Sequence, residues 1–527
     1  MRGGRVIPLF QEPTSVPVDD EVEYEDRLTD REILKLVQEM YTLHLDDRGK
    51  LDRIYEYVKG RRGRPKLPEG ASDEVKDIAA LSIKNVLRLV RDSFAQNLSV
   101  TGYRNLAAQQ NNSAWADWQR NRMDARQAEV HRPAVQYGAA YVTVTPGPDG
   151  PDWRTRSPRQ LLAVYDDPVL DAWPQFALET WVATKDAKPH RRAVLYDERY
   201  MYELDLGEIP VVGSGDGESA SKPISVRAVD DVIPHGATYN GKPVCPVVRF
   251  INDRDADDMI VGEIEPLIGM QKAINYVNFD RMLVSRFGAN PQRVITGWSG
   301  SKSEVLKASA LRVWTFDDPE VKAQAFPAAS LQPYNDVLDE MMQHVAMEAQ
   351  INPSTVTSIS NVSADALAAC EHNMQLKLAN KRESFGESWE QVLRLSAAMS
   401  DDEVDDEAAA TADDDQAEVI WRDTEARSFA TVVDGIVKLA AAGVPIEYLL
   451  PLVPGMTQQQ IAAIKQAMRG GGTQSLVDKL LSLPTPAEPD APPLSEAEAS
   501  ADKSGGTQGD GGAAGSAAVS GGADTSQ

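Results

Sequence analysis

Residues 364–399 read ADALAACEHNMQLKLANKRESFGESWEQVLRLSAAM, with no proline and one glycine, Gly386. A helix of about 36 residues is about 54 Å long at 1.5 Å per residue, more than an ordinary globular core can cover. This stretch constrains the fold most, because it points to a strut in a large assembly. The segment leading into it, QINPSTVTSISNVSADAL at 350–367, carries no charge before Asp365 and no glycine. Asn352-Pro353 ends a preceding helix, since the residue before proline avoids the helical region. Ser363 caps the long helix, with Asp365 near its positive end. Between these ends, β-branched and hydroxyl side chains make the connector semi-stiff, without lysine's grip on phosphate.

Composition narrows the function class. At 527 residues the chain is too long for one hydrophobic core, so several domains are expected. Asp and Glu number 80 against 54 Lys and Arg, a formal charge of −26. Such a surface favours solubility and repels nucleic acid unless basic residues are concentrated locally. Cys245 and Cys370, far apart in sequence, read as buried free thiols of a reducing compartment. The opening MRGGRVIPLFQEPTS lacks an apolar signal region, and no long apolar run occurs. Neither a signal peptide nor a membrane span is expected, and the chain should be made in a cytoplasm and stay soluble.

The elements follow from periodicity. Thr29 and Glu32 form a capping box before a helix with Ile33, Leu36, Val37, Met40 and Tyr41 on its apolar face. A shorter helix carrying Leu51, Ile54, Tyr55 and Val58 closes at Gly60. Ser72 caps a longer one running through Val90, and another spans 113–137. From Ala139 the period falls to two, as in AAYVTVTP, FALETWVAT, RYMYELDL and PVCPVVRF. An antiparallel meander set against helices gives the α+β class. Helical period returns near Gly262 and again in LQPYNDVLDEMMQHVAMEA, around an insert with strands at RVIT, LRVWTF and VKAQAF. AEVIWRD reads as one strand, and SFATVVDGIVKLAAAG as a helix. Composition marks residues 1–27 as a mobile arm, 401–416 as an acidic linker and 484–527 as a disordered tail.

Several chemistries fail on inspection of the residues. Gly236, Gly241 and Lys242 match a phosphate-loop spacing, but Pro243 stands where Ser or Thr should bind magnesium and a strand follows instead of a helix. Asp253, Asp255 and Asp257 alternate as in a calcium loop, yet Asp258 and Ile264 occupy the positions that need glycine and glutamate. The six histidines show no zinc spacing, and no nucleophile elbow is present. No catalytic residue, cofactor or metal is therefore expected, and the alternative of a DNA-acting enzyme (a motor ATPase or nuclease) rests on those near-matches alone. KGRRGRPK concentrates Lys59, Arg61, Arg62, Arg64 and Lys66 in one loop. It reads as a solvated loop, or as a contact for nucleic acid or an acidic protein.

Five stretches in a fixed order carry a family resemblance: SIKNVLRLVRDSFAQNLSVTGYR (82–104), AWADWQRNRMDARQAEVHRPAVQYGAAYVTVTP (114–146), PVCPVVRFIND (243–253), the helix with its PQRVITG exit (262–297), and SADALAACEHNMQLKLANK (363–381). In this order the chain resembles portal proteins of tailed double-stranded-DNA phages, in the siphophage branch of mycobacteriophages and related actinobacteriophages. It departs from that pattern where YEYVKGRRGRP replaces an early segment of relatives. The resemblance implies a non-enzymatic ring of twelve subunits at one capsid vertex of the virion, assembled in the host cytoplasm around a channel for double-stranded DNA. It implies a multi-domain layout: wing at 28–261, stem helices at 262–289 and 331–350, clip at 290–330 and tunnel loop at 351–362. The long wing helix would occupy 363–400, its return strand 417–425, and the crown 426–483. The implied partners are the terminase large subunit, the head–tail adaptor, and the major capsid and scaffolding proteins. Another head or adaptor protein is the remaining alternative. In this layout Asn352, Ser354, Thr355, Thr357, Ser358, Ser360 and Asn361 of the connector would face DNA, and Lys59 to Lys66 would form a basic contact loop.

Overall fold

A computed structural model describes residues 27–104, 113–185, 187–209, 229–288, 293–296, 322–325, 329–352, 355, 364–399, 417–422, 429–450, 453, 460–461 and 464–465. Helix α1 (Asp30–Val58) opens with the expected capping box: the Glu32 carboxylate accepts from Thr29 N at 2.9 Å, and Thr29 Oγ1 accepts from Glu32 N at 3.4 Å. Two helices were expected here, yet one continues through residues 43–50. That stretch contains no proline, and tertiary contacts outweigh the cost of Gly49. His44 there is buried, its Nε2 lying 2.9 Å from the Pro158 carbonyl.

The helix expected from Ser72 to Val90 is instead two, α2 (Asp73–Leu81) and α3 (Val86–Ala95). Asn85 caps α3 through Arg88 N and donates to the Val58 carbonyl at 2.6 Å, so the break is a built corner. The 113–137 helix likewise divides into α4 (Ser113–Arg120) and α5 (Met123–Tyr137) at Arg122, whose φ is 55°. Asn121 holds that corner by accepting from Trp153 N and donating to the Asp117 carbonyl.

The strands are β1 (Val100–Arg104), β2 (Ala139–Thr145), β3 (Asp152–Arg156), β4 (Leu161–Val164), β5 (Phe176–Lys185), β6 (Lys188–Tyr196), β7 (Tyr200–Glu208), β8 (Val229–Pro234), β9 (Thr238–Tyr239), β10 (Lys242–Pro243), β11 (Val247–Ile251), β12 (Arg293–Thr296), β13 (Lys322–Ala325) and β14 (Glu418–Trp421). Strands β4 to β8 form a sequential meander, β2 lies between β11 and β3, and β1 pairs with β14. Every described pairing within a sheet is antiparallel, so the protein is a mixed helix and antiparallel-sheet fold. The remaining helices are α6 (Ile268–Leu283), extended by a π-helical turn over Val284–Gly288, then α7 (Gln332–Ala349), α8 (Ala364–Ala398), α9 (Phe429–Ala441) and α10 (Ile446–Leu449).

The chain forms two compact units, 1–442 with 452–454, and 443–451 with 455–527. The second contains α10, with Leu449 and Leu450 buried. The first has a main core in which Trp389 of α8 packs edge-on against Trp118 and Phe250, at centroid distances of 4.9 and 4.7 Å. Phe385, Val392, Leu393 and Leu395 are buried beside it, so the C-terminal half of the long helix is core rather than free strut. A second core sets Ile33, Val37 and Met40 of α1 against Leu178, Leu195, Tyr202 and Leu204 of the meander.

Candidate functional site: an interhelical junction and a basic loop

The neutral connector leaves α7 at a junction of four segments. Gln350 ends the helix in the left-handed conformation, φ 57°, and Ile351 turns back into the core, its N–H donating to the Ala346 carbonyl at 3.0 Å. Glu263, just before α6, accepts from Lys381 and Lys377 of α8 at 2.6 Å each. Lys381 also donates to Asn252 Oδ1 at 2.7 Å, and Lys377 to the Ala349 carbonyl at 3.3 Å. Burial alone would raise the Glu263 carboxyl, but the two ammonium groups hold it below the usual carboxylate range. Breaking such a buried pair by removing one partner costs about 3–5 kcal/mol.

Backbone crossing at the same place demands glycine. A Cβ on Gly262 would lie 2.6 Å from the Gln136 carbonyl oxygen, and one on Gly138, whose φ is 100°, would lie 2.9 Å from the Val261 backbone. Asn252, Asp253, Glu263, Glu348 and Lys377 line a cavity of about 160 Å³ beside this crossing.

Of the connector residues singled out from sequence, Asn352 is half-buried and Thr355 exposed, and Thr355 N donates to the Asn352 carbonyl at 2.9 Å. Ser354, Thr357, Ser358, Ser360 and Asn361 lie outside the described residues.

The basic loop is a rigid mount for exposed cations. Lys59, Arg61, Arg62, Arg64 and Lys66 are all exposed, whereas Pro65 between them is buried. The Gly63 carbonyl accepts from Asn275 Nδ2 at 3.0 Å, and Lys66 N donates to the Tyr276 hydroxyl at 3.0 Å, which fastens the loop to α6. Gly63 has φ 91°, and a Cβ there would meet the Tyr57 ring at 2.9 Å. Arg61 lies 3.7 Å from Glu56, and Lys59 sits over the Tyr55 ring. Among the described residues Arg62, Arg64 and Lys66 have no ion-pair partner.

Sequence reading did not find Gln271, Asn275 and Asn278, buried amides at helical spacing on α6. Gln271 accepts from Val86 N at 3.0 Å, Asn275 from Lys84 N at 3.1 Å, and Asn278 donates to the Ser82 carbonyl at 2.7 Å. The available signal was their i, i+4, i+7 spacing on a face that otherwise should be apolar.

The sequence near-matches resolve into turns. Asn240 and Gly241, at φ 50° and 70°, form the two-residue turn joining β9 to β10, with Lys242 exposed on the second strand. The Asp255 carboxylate caps its own turn by accepting from Asp257 N and Met259 N. Among the described residues no group of His, Cys, Asp and Glu is arranged to hold a metal ion, and no helix is long and apolar enough to cross a membrane.

Comparison with known proteins adds an independent line. The family model described as phage portal protein, SPP1 Gp6-like, matches residues 42–470. The portal protein of Mycobacterium phage D29 is 24% identical over 375 residues, spanning 68% of this chain and 72% of that protein. That of Mycobacterium phage L5 is 26% identical over 384 residues, again 68% and 72%. Among solved structures, a chain of the virion of a native gene transfer agent particle is 10% identical, covers 77% of this chain and 100% of that one, and has a TM-score of 0.40.

Proposed function

This chain belongs to the SPP1 Gp6-like family of phage portal proteins, a structural component of the virion, and from that membership we propose that twelve copies form a ring at one capsid vertex. The ring is the channel for packaging and ejecting double-stranded DNA, and it carries no catalytic activity of its own. The family match over 42–470 carries this reading, because it spans the α6–α7 pair, the connector and the long helix together.

In this reading the wing is 28–261 with 363–400 and the return strand at 417–425, the stem is α6 and α7, and the clip is 290–330. The clip docks the terminase large subunit and later the head–tail adaptor; major capsid and scaffolding proteins surround the vertex. The crown is 426–483. The connector 351–362 is the tunnel loop, reaching into the channel from the anchored junction at Glu263.

Charge supports passage rather than capture. Duplex DNA carries a charge about every 1.7 Å, and non-specific grips with Kd of about 10⁻⁴–10⁻⁶ M correspond to roughly 5.5–8 kcal/mol. Such a grip repeated on every subunit would stall movement. A neutral, hydroxyl-bearing connector on a chain of charge −26 avoids it.

The test has two readouts. Purified protein should show rings with a central hole by negative-stain microscopy; a monomer under all ionic conditions overturns the reading. Thr357→Lys combined with Ser358→Lys should leave rings intact while slowing packaging by about tenfold or more, as added phosphate contacts strengthen. Unchanged packaging kinetics refutes the placement of the connector in the channel.

A further inference from the structure

Subunits of charge −26 repel one another, so a closed ring needs local complementarity to hold adjacent copies in register. A ring also requires a heterologous interface, in which two different faces of one chain meet their complements on its neighbours. The α6–α7 pair carries two such faces.

The basic face is the loop on α6. Arg281 of α6 bonds Asn335 of α7 at 3.1 Å, which marks the side turned toward its partner helix. Asn275 and Tyr276, which hold the loop, stand about 120° and 140° round the helix from Arg281 at 100° per residue. The loop therefore sits on the flank of α6 away from α7. The exposed Lys272 lies one turn from Tyr276 on that flank, and the Lys84 backbone is bonded to Asn275.

The acidic face is the outer side of α7. Leu338, Met342, Val345, Ala346 and Ala349 are buried, whereas Asp336 and Glu340 are exposed on the opposite side of the helix and Asp339 is exposed at the edge of the buried face. Among the described residues Asp336 accepts only from a neutral donor, Gln332 Nε2 at 2.7 Å. Among the described residues Asp339 and Glu340 have no ion pair. The basic loop on α6 and the Asp336 and Glu340 carboxylates on α7 thus stand on opposite flanks of one helix pair.

We infer that Arg61, Arg62 and Arg64 of one copy dock on Asp336, Asp339 and Glu340 of the next copy in the ring, an assignment that rests on the ring reading above. Rigidity favours this occupant: a loop whose backbone is pinned by a buried proline and two bonds to α6 presents its arginines from a fixed base, which suits carboxylates carried on a helix.

A charge-swap experiment on the full-length protein tests it. One variant combines Arg61→Glu, Arg62→Glu and Arg64→Glu; the other combines Asp336→Lys, Asp339→Lys and Glu340→Lys. Circular dichroism should be native for both, since all six positions are exposed. At about 0.15 M salt each variant alone should need about tenfold more protein for half-assembly by sedimentation. An equimolar mixture should regain rings, because alternating copies pair each reversed loop with a reversed face and each normal loop with a normal face.

Normal assembly of either variant alone, or no rescue in the mixture, overturns the inference while wild-type rings leave the portal reading standing. A loop variant that assembles normally but loses retention of short duplex DNA assigns the loop to phosphate instead, which also overturns it. Absence of rings from the wild-type protein removes both.

Discussion

His131 is held in one tautomer. Trp389 Nε1 donates to its Nε2 at 3.0 Å, so the proton sits on Nδ1, 3.1 Å from the Leu98 carbonyl. The ring stacks on Phe385 and is fully buried, and burial lowers its pKa to about 4. His235 is similar: Ala237 N donates to Nδ1, Nε2 faces the Asp197 carbonyl, and burial brings it to about 4. An unfolded histidine titrates near 6.5, so between pH 6.5 and 4 the unfolded chain binds more protons than the folded one. The contribution is complete above pH 6.5 and falls as pH drops toward 4, by about 3 kcal/mol per histidine. Melting temperature should fall over that window. His131→Met, which cannot titrate, should melt lower at pH 7 yet lose less on acidification. Parallel pH profiles from calorimetry would exclude His131 as a source.

Helix α1 contributes to two hydrophobic cores, which also meet through Tyr141 and Val247 packed on Ala177, Val194 and Tyr196 of the meander. Its first half packs Ile33, Val37 and Met40 on the meander, and its last turns put Ile54, Tyr57 and Val58 into the main core. Asp46→Pro at an exposed position between them should cost about 3 kcal/mol or more and split one thermal transition into two. A single transition with unchanged width would show that the cores are coupled through other contacts. Local pattern was enough to read the meander, since β7 alternates buried and half-buried residues along its length. Helix ends were read less well where their cause is distant. The corner between α2 and α3 is satisfied by Gln271, whose amide donates to the Lys84 carbonyl 187 positions away. No window of local sequence contains that partner.

Acidity sets the behaviour of the whole molecule toward nucleic acid. At about 0.15 M salt, filter retention of short duplex DNA should indicate a Kd weaker than about 10⁻⁴ M, and binding below about 10⁻⁶ M would contradict a channel that lets DNA slide. The basic loop was legible because it is contiguous in sequence, and the family because its five stretches keep a fixed order. The junction was not: Glu263 and Lys381 are 118 positions apart, and each alone is an ordinary charged residue. That junction has a mechanical consequence. Lys377 grasps both the Glu263 carboxylate and the Ala349 carbonyl, while Ser384 and Ser388 of α8 donate to the Ile251 and Arg249 carbonyls of β11. Tension on the connector is thereby shared at once between a helix end, a long helix and a sheet. Its foot therefore yields as a block under load, and force applied to the connector is delivered to the body of the subunit instead of being lost in a hinge.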